Sequence, residues 1–285
     1  MTGPTKPPFP PRPRPSPAEL VRMPVVYSLP GTETVEVRQN LIYGRVESAE
    51  LAMDLYSPPG TAPGARRPAV VFVHGGPIPA PPVMQPKDWR DYRDFGRLAA
   101  ASGFVGVTFN HRFYGADRAS DAQSDIGRLI RFAREKCGSL GIDPDRLVLW
   151  AFSGGGILLS EFIRRPPPFV RGLIGFYTLM DLRSFPAADP SRLPDQDTLA
   201  RFSPVAALDD ASGPVPPILI GRAGLDLAPL NASIDRFVES ALRKNVDLTV
   251  RNHPTGEHGF DVLNDDDLSR DIIRQAFAFL KRVLR

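Results

Sequence analysis

Short apolar runs recur along the chain without polar alternation: Ala69–Val73, Phe104–Asn110, Arg146–Trp150, Leu173–Thr178 and Pro217–Gly221, and a further strand is expected at Val246–Asn252. A run of this length with no polar face reads as a strand buried on both sides, as in a parallel sheet. Between these runs the period changes to that of a helix. Trp89–Ser102 places Tyr92, Phe95, Leu98 and Ala99 on one face, and Ser120–Lys136 does the same with Ile126, Leu129, Ile130 and Ala133. Further helices are expected at Gly155–Arg165, Asn231–Lys244 and Leu268–Val283, the last with Asp265–Asp267 capping its start. Two strands near Val35–Arg38 and Glu50–Tyr56 precede the series. Strands separated by helices predict an α/β fold: a mainly parallel twisted sheet with helices on both faces.

Two segments break this rhythm. Pro77–Asp88 is proline-rich, and Asp181–Pro216 joins two strands with only short helical signals. Loops of this length are usually functional, and their position beyond strand ends predicts pocket walls and a small cap at about 181–216. Residues 1–17 are dominated by proline, which excludes helix or central strand and predicts an extended or disordered tail. Residues 18–285 then form one domain.

The run ending at Trp150 leads into Ala151-Phe152-Ser153-Gly154-Gly155 and then a helical pattern. A small residue, any residue, Ser, any residue, Gly at a strand-to-helix turn is the layout of a nucleophile elbow. The serine must stand clear of the sheet on a strained turn, so bulky neighbours two residues away would collide with adjacent elements. The Gly154 amide falls at a helix start, where unpaired N–H groups favour negative charge and can form half of an oxyanion hole. Alone, the pattern also describes a tight turn with a capping serine, and about 0.3 matches are expected by chance in a chain this long.

Three other strand ends add to it. The run from Ala69 closes on His74-Gly75-Gly76, where glycines let the backbone aim an amide into a cavity and supply the second oxyanion donor. The run at Ile218 is followed by Asp226, and the last strand leads into His253 and then His258-Gly259-Phe260. Ser153, Asp226 and His258 therefore follow in that order, each past the C-terminal end of a strand, where sites in such sheets form.

From about Val35 onward the chain resembles the α/β-hydrolase superfamily, within it the carboxylesterase, lipase and dienelactone-hydrolase-like members. Leu51–Pro58 is similar to the opening hairpin of that group, Asn110-His111-Arg112 to its Tyr-Arg segment, and Gly141–Arg146 to the turn feeding its elbow strand. The chain departs in having Ala151 for glycine and Pro77 where a third glycine often stands. The resemblance implies a serine hydrolase cleaving carboxylic esters of small to medium acyl groups through an acyl-enzyme. Ser153 would be the nucleophile, His258 the base, Asp226 the acid, and Gly75, Gly76 and Gly154 the oxyanion hole. His253 is the competing base; Asp181, Asp209 and Asp210 are competing acids read as caps or solvated charges, and Asp261 is a competing acid set aside because adjacency to the base in sequence does not supply a side-on contact to its ring. His74 is expected to orient the oxyanion loop, and His74, His111, Phe152 and Phe260 to line the pocket. Arg112 is expected to pair with an acid. A peptidase or amidase of the same fold, and a catalytically silent binding protein, are the competing functions.

Charge and cysteine content narrow the setting. The net charge is only +3, with no basic stripe interleaved with aromatics, so no nucleic-acid partner is expected. No apolar run reaches the ~18 residues of a spanning helix, and no charged-then-apolar leader is visible. The single Cys137 cannot form an internal disulfide, which points to a cytoplasmic setting. Neither a cofactor nor a metal is expected, because the histidines show no ligand spacing.

Overall fold

A computed structural model describes residues 15–184, except 48 and 63, and residues 194–285. Most of the proline-rich tail and part of the 181–216 insertion lie outside the described residues. The expected strands assemble into one eight-stranded sheet in the order β1-β2-β4-β3-β5-β6-β7-β8. These are Glu36–Val46, Ala49–Ser57, Arg67–Val73, Val105–Phe109, Ile142–Phe152, Val170–Phe176, Ile218–Ala223 and Leu248–His253, numbered β1 to β8 in chain order. β2 runs antiparallel to both of its neighbours, and the remaining pairs are parallel.

The non-alternating runs in β3 to β7 are buried on both faces, as expected, whereas β8 at the sheet edge is only partly covered. Val71 and Leu149 enter one core with Ile126 and Leu129 of α3 (Ala119–Glu135) and Ile234 and Phe237 of α8 (Ala228–Arg243). Their strand neighbours Val70, Phe72, Val148 and Trp150 enter a second core with Phe95 of α2 (Arg90–Ala101) and Ile273 and Phe277 of α10 (Asp267–Val283). Period-two alternation along each strand thus divides the apolar residues between two helical layers. Asp266 caps α10 by accepting the Ser269 N–H at 2.8 Å.

The helix expected at Gly155–Arg165 is the main departure. Ser153–Leu159 is a 3-10 stretch, and the α-helix that follows, α5, spans only Ser160–Arg164. Three consecutive glycines, Gly154 to Gly156, favour α-helix poorly, and the tighter turn results. In the 181–216 insertion the described parts form α6 (Gln196–Arg201) and α7 (Pro204–Asp209); α7 packs on α5 and α8, and α6 on α7. Among the described residues no helix is long and apolar enough to cross a membrane.

α2 lies so close to β4 that a Cβ on Gly106 would stand 2.6 Å from the Gly96 carbonyl oxygen. Neither backbone can yield without moving the whole helix. Gly106→Ala is expected to cost about 1–3 kcal/mol, measured as a lowered urea midpoint with an unchanged slope. An unchanged midpoint would contradict this packing.

Candidate active site

Ser153 sits where β5 ends, with φ at +51°, in the left-handed region that side chains rarely occupy. The strain follows from what surrounds the turn. A Cβ on Gly154 would lie 2.1 Å from the Gly76 oxygen, and one on Gly155 2.7 Å from the His74 oxygen. The chain past β3 therefore presses directly on the turn past β5, and only residues without side chains fit the contact. Held in this way, Ser153 turns its hydroxyl toward the loop past β8.

His258 Nε2 lies 2.9 Å from Ser153 Oγ, and His258 Nδ1 lies 2.7 Å from Asp226 Oδ2. The Asp226 side chain is fully covered, and its other oxygen accepts the Leu227 N–H at 2.7 Å. Backbone ties between the two loops hold this pair: Gly224 N–H donates to His253 O at 2.8 Å and Leu225 N–H to Gly256 O at 2.9 Å. Since a carboxylate can only accept, the ring proton belongs on Nδ1, which leaves the Nε2 lone pair facing the serine hydroxyl. The Tyr177 ring packs edge-on against the imidazole at 4.8 Å between centroids.

The competing residues are occupied elsewhere. His253 is buried at the end of β8, and its Nε2 meets Asp266 Oδ1 at 3.1 Å and Ser269 Oγ at 3.0 Å, fastening the strand to the start of α10. Asp181 pairs with Arg183 at 2.9 Å, and Asp209 and Asp210 pair with Lys244 and Arg164. Arg112 makes its expected ion pair, with Asp125 of α3 at 2.8 Å.

The expected oxyanion donors divide. The Gly75 N–H donates to the Tyr92 hydroxyl at 3.1 Å and is thereby engaged, so the candidate amides at Ser153 are those of Gly76 and Gly154. Tyr92 reads in the sequence as one more apolar position on α2; its hydroxyl has no local signal. His74 holds the loop as anticipated, with Nδ1 2.6 Å from Gly75 O and Nε2 accepting from His111 N at 3.4 Å.

The expected pocket lining needs correction. His74 and His111 are buried and stacked on each other at 3.5 Å, beneath the loop and away from the cleft. Burial keeps both rings neutral, with His74 lowered to about 4 and His111 well below its ordinary value. Phe260 is also fully buried, packed on Phe176 and Tyr177. Of the four, only Phe152 borders the cleft. That cleft has a volume of about 290 Å³ and holds Ser153 and His258 among mainly apolar walls. The proline-rich loop contributes a wall as expected, but no described residue of the 181–216 insertion does, because it packs on the helices instead. The N-terminal segment takes part in its place, through Pro17, Leu20 and Val21.

Two acids near the cleft have surroundings that the sequence does not show. Asp261 is fully buried and accepts the Tyr177 hydroxyl at 2.7 Å; burial lifts its carboxyl to about 6 against that hydrogen bond. Asp91 borders the cleft with Oδ1 sealed from solvent and without a hydrogen-bond partner among the described residues. Burial holds it up to about 8, and the neighbouring Asp261 charge pushes the same way.

Comparison with known proteins agrees with this architecture. A family model, BD-FAE, matches residues 53–161. Gut esterase 1 of Caenorhabditis briggsae is 28% identical over 127 residues, which cover 41% of this chain and 22% of that protein. The chain thus spans about a fifth of that relative. Native Thermogutta terrifontis esterase 2 superposes with a TM-score of 0.69 at 21% identity, over 93% of this chain and 97% of the other. Its butyrate-bound form gives 0.68 at 21% identity over 89% and 96%, and its form phosphorylated by paraoxon gives 0.69 at 21% identity over 88% and 95%. The chain has the same fold as these esterases.

The buried acids make stability depend on pH with a definite sign. In the unfolded chain both release their protons at about 4, whereas the folded protein keeps them to about 6 and about 8. The native state therefore binds more protons across that window, and its stability falls as pH rises through it. Asp91→Asn removes one contributor, so urea unfolding at pH 5 and pH 8 should show a smaller loss than in the parent. Parallel losses in the two proteins would mean that Asp91 is not held protonated.

Proposed function

We propose that this chain, which has the α/β-hydrolase fold, is a serine hydrolase that cleaves carboxylic esters of small to medium acyl groups. The observation that carries the reading is the continuous hydrogen-bonded run from Ser153 Oγ through both nitrogens of His258 to the covered Asp226. In this reading Ser153 Oγ attacks the ester carbonyl carbon as His258 Nε2 takes its proton. The amides of Gly76 and Gly154 stabilise the oxyanion that forms. Collapse of the tetrahedral adduct breaks the bond to the alcohol, which leaves with the proton from His258, and an acyl-enzyme remains. Water then repeats the sequence, giving up its proton to His258, and the acid departs as Ser153 recovers its hydrogen. Asp226 keeps the ring in the working tautomer and offsets the charge of the imidazolium.

The relatives lend support. One structural neighbour, Thermogutta terrifontis esterase 2, is described both with butyrate bound and as phosphorylated by paraoxon, behaviour expected of a small-acyl serine esterase. Residues 18–285 are proposed to form one catalytic domain. The single Cys137 suits a reducing compartment such as the cytoplasm.

A fluorophosphonate probe should label this protein at Ser153, as mapped by mass spectrometry. Ser153→Ala should abolish labelling and lower turnover of a 4-nitrophenyl ester by about 10⁴-fold or more with the fold retained. Labelling at another serine would reject the assignment.

The imidazole and the acid separate by a second set of variants. Asp226→Asn is nearly isosteric but donates where the ring needs an acceptor, so turnover should fall at least about 10²-fold at unchanged stability. His258→Ala should lose activity, and the parent rate should fall on the acid side as the imidazole takes up a proton. His253→Ala should instead lower the unfolding midpoint while the folded fraction stays active. If His253→Ala proved inactive and His258→Ala active, the two roles would be exchanged.

A further inference from the structure

The N-terminal helix α1 (Pro17–Leu20) has a complete capping box, with Ser16 N–H donating to Glu19 Oε2 at 2.8 Å and Glu19 N–H to Ser16 Oγ at 3.4 Å. Yet it buries none of its own residues, and Leu20 remains 38% exposed. A well-formed apolar turn that covers nothing of the core is unusual, and its surroundings explain it. Pro17, Leu20 and Val21 border the cleft that holds Ser153, as do Pro82, Val83 and Met84 of the proline-rich loop, where Val83 is 70% exposed.

Both borders are fastened down. Arg90 N–H donates to Val21 O at 2.9 Å and Val26 N–H to Asp261 O at 2.8 Å, while Val25 is buried in the core beside α2. On the other border Trp89 Nε1 donates to Met84 O at 3.0 Å, and Ile78 N–H donates to Phe113 O at 2.9 Å. Lys87 anchors the base of that loop through a buried ion pair with Asp54 at 3.2 Å. Exposed apolar side chains held rigidly around a cavity of about 290 Å³ leave burial unfinished until something apolar fills it.

We infer that the hydrocarbon chain of the ester fills this place, and that Leu20 and Val83 set the enzyme's preference for chain length. This rests on the ester-hydrolase reading above and adds the substrate class: esters with an unbranched aliphatic chain longer than acetyl, on the acyl or the alcohol side. The N-terminal segment, and no described residue of the 181–216 insertion, then serves as the cap. A methylene moved from water into such a wall is worth about a fourfold gain in kcat/KM, so four of them give at most ~250-fold.

The test is a ratio measured on the full chain. In the parent, kcat/KM should rise at least about tenfold from two to six carbons in one of two series, 4-nitrophenyl acyl esters or alkyl acetates. In the double variant Leu20→Asp, Val83→Asp that ratio should fall to near one, whereas Leu20→Met, Val83→Ile should keep it. Both positions are exposed, so thermal unfolding should be little changed. Active parent enzyme with no rise in either series would overturn the inference and leave the ester reading standing. A rise that survives the aspartate variant, or a proportional loss on short and long esters, would also overturn it. Failure of the parent on every ester, with no fluorophosphonate labelling, would instead defeat both.

Discussion

The contact between two backbones at the C-terminal edge of the sheet governs the rest of the site. The Gly76 oxygen lies where a Cβ of Gly154 would be, and the His74 oxygen presses similarly on Gly155. No side chain can enter, so the two loops are locked at a fixed distance and Ser153 is driven into the left-handed region. The strain costs of order 1–3 kcal/mol, which the parallel pairing of β3 with β5 and of β5 with β6 must offset. One contact thus brings the loop past β3 against the turn that carries Ser153. The glycines that allow this approach are also those that replace the expected α-helix by a 3-10 stretch.

Burial divides the labour among the four histidines. His74 and His111 are stacked away from solvent and kept neutral, which suits a ring that holds a loop by hydrogen bonds. His253 joins β8 to α10. His258 is 38% exposed, open toward the cleft on one side and held by a covered carboxylate on the other. A ring that is to exchange protons with a substrate needs that asymmetry. The buried acids Asp91 and Asp261 follow the same logic from the other sign, since low polarity around them favours their neutral forms.

The cleft is walled by segments that share little with each other in sequence. The proline-rich loop extends directly from the glycine turn, whereas α1 arrives from the far N-terminal end and is tied to α2 and α9 (Phe260–Leu263) by backbone hydrogen bonds. Their shared property is apolar surface left uncovered. In the functional reading it is the substrate that completes this burial, while α7 of the insertion packs on α5 and α8.

Local patterns determined a good deal of this protein. Unbroken apolar runs marked the parallel strands, and the spacing around Ser153 marked a strained turn. The order of Ser153, Asp226 and His258 past three strand ends anticipated which side chains the sheet would bring together. These features are legible because strand burial and turn geometry depend on residues a few positions apart. What the tertiary structure alone decided depends on groups distant in the chain. Tyr92 takes the amide of Gly75, a partner that no pattern around Gly75 announces. Phe260, His74 and His111 lie in the core and not in the cleft. Pro17 and Leu20 reach a site built more than a hundred residues later, and burial raises the carboxyls of Asp91 and Asp261. Hydrogen-bond partners and dielectric surroundings are set by how the layers stack, and no local periodicity encodes that stacking.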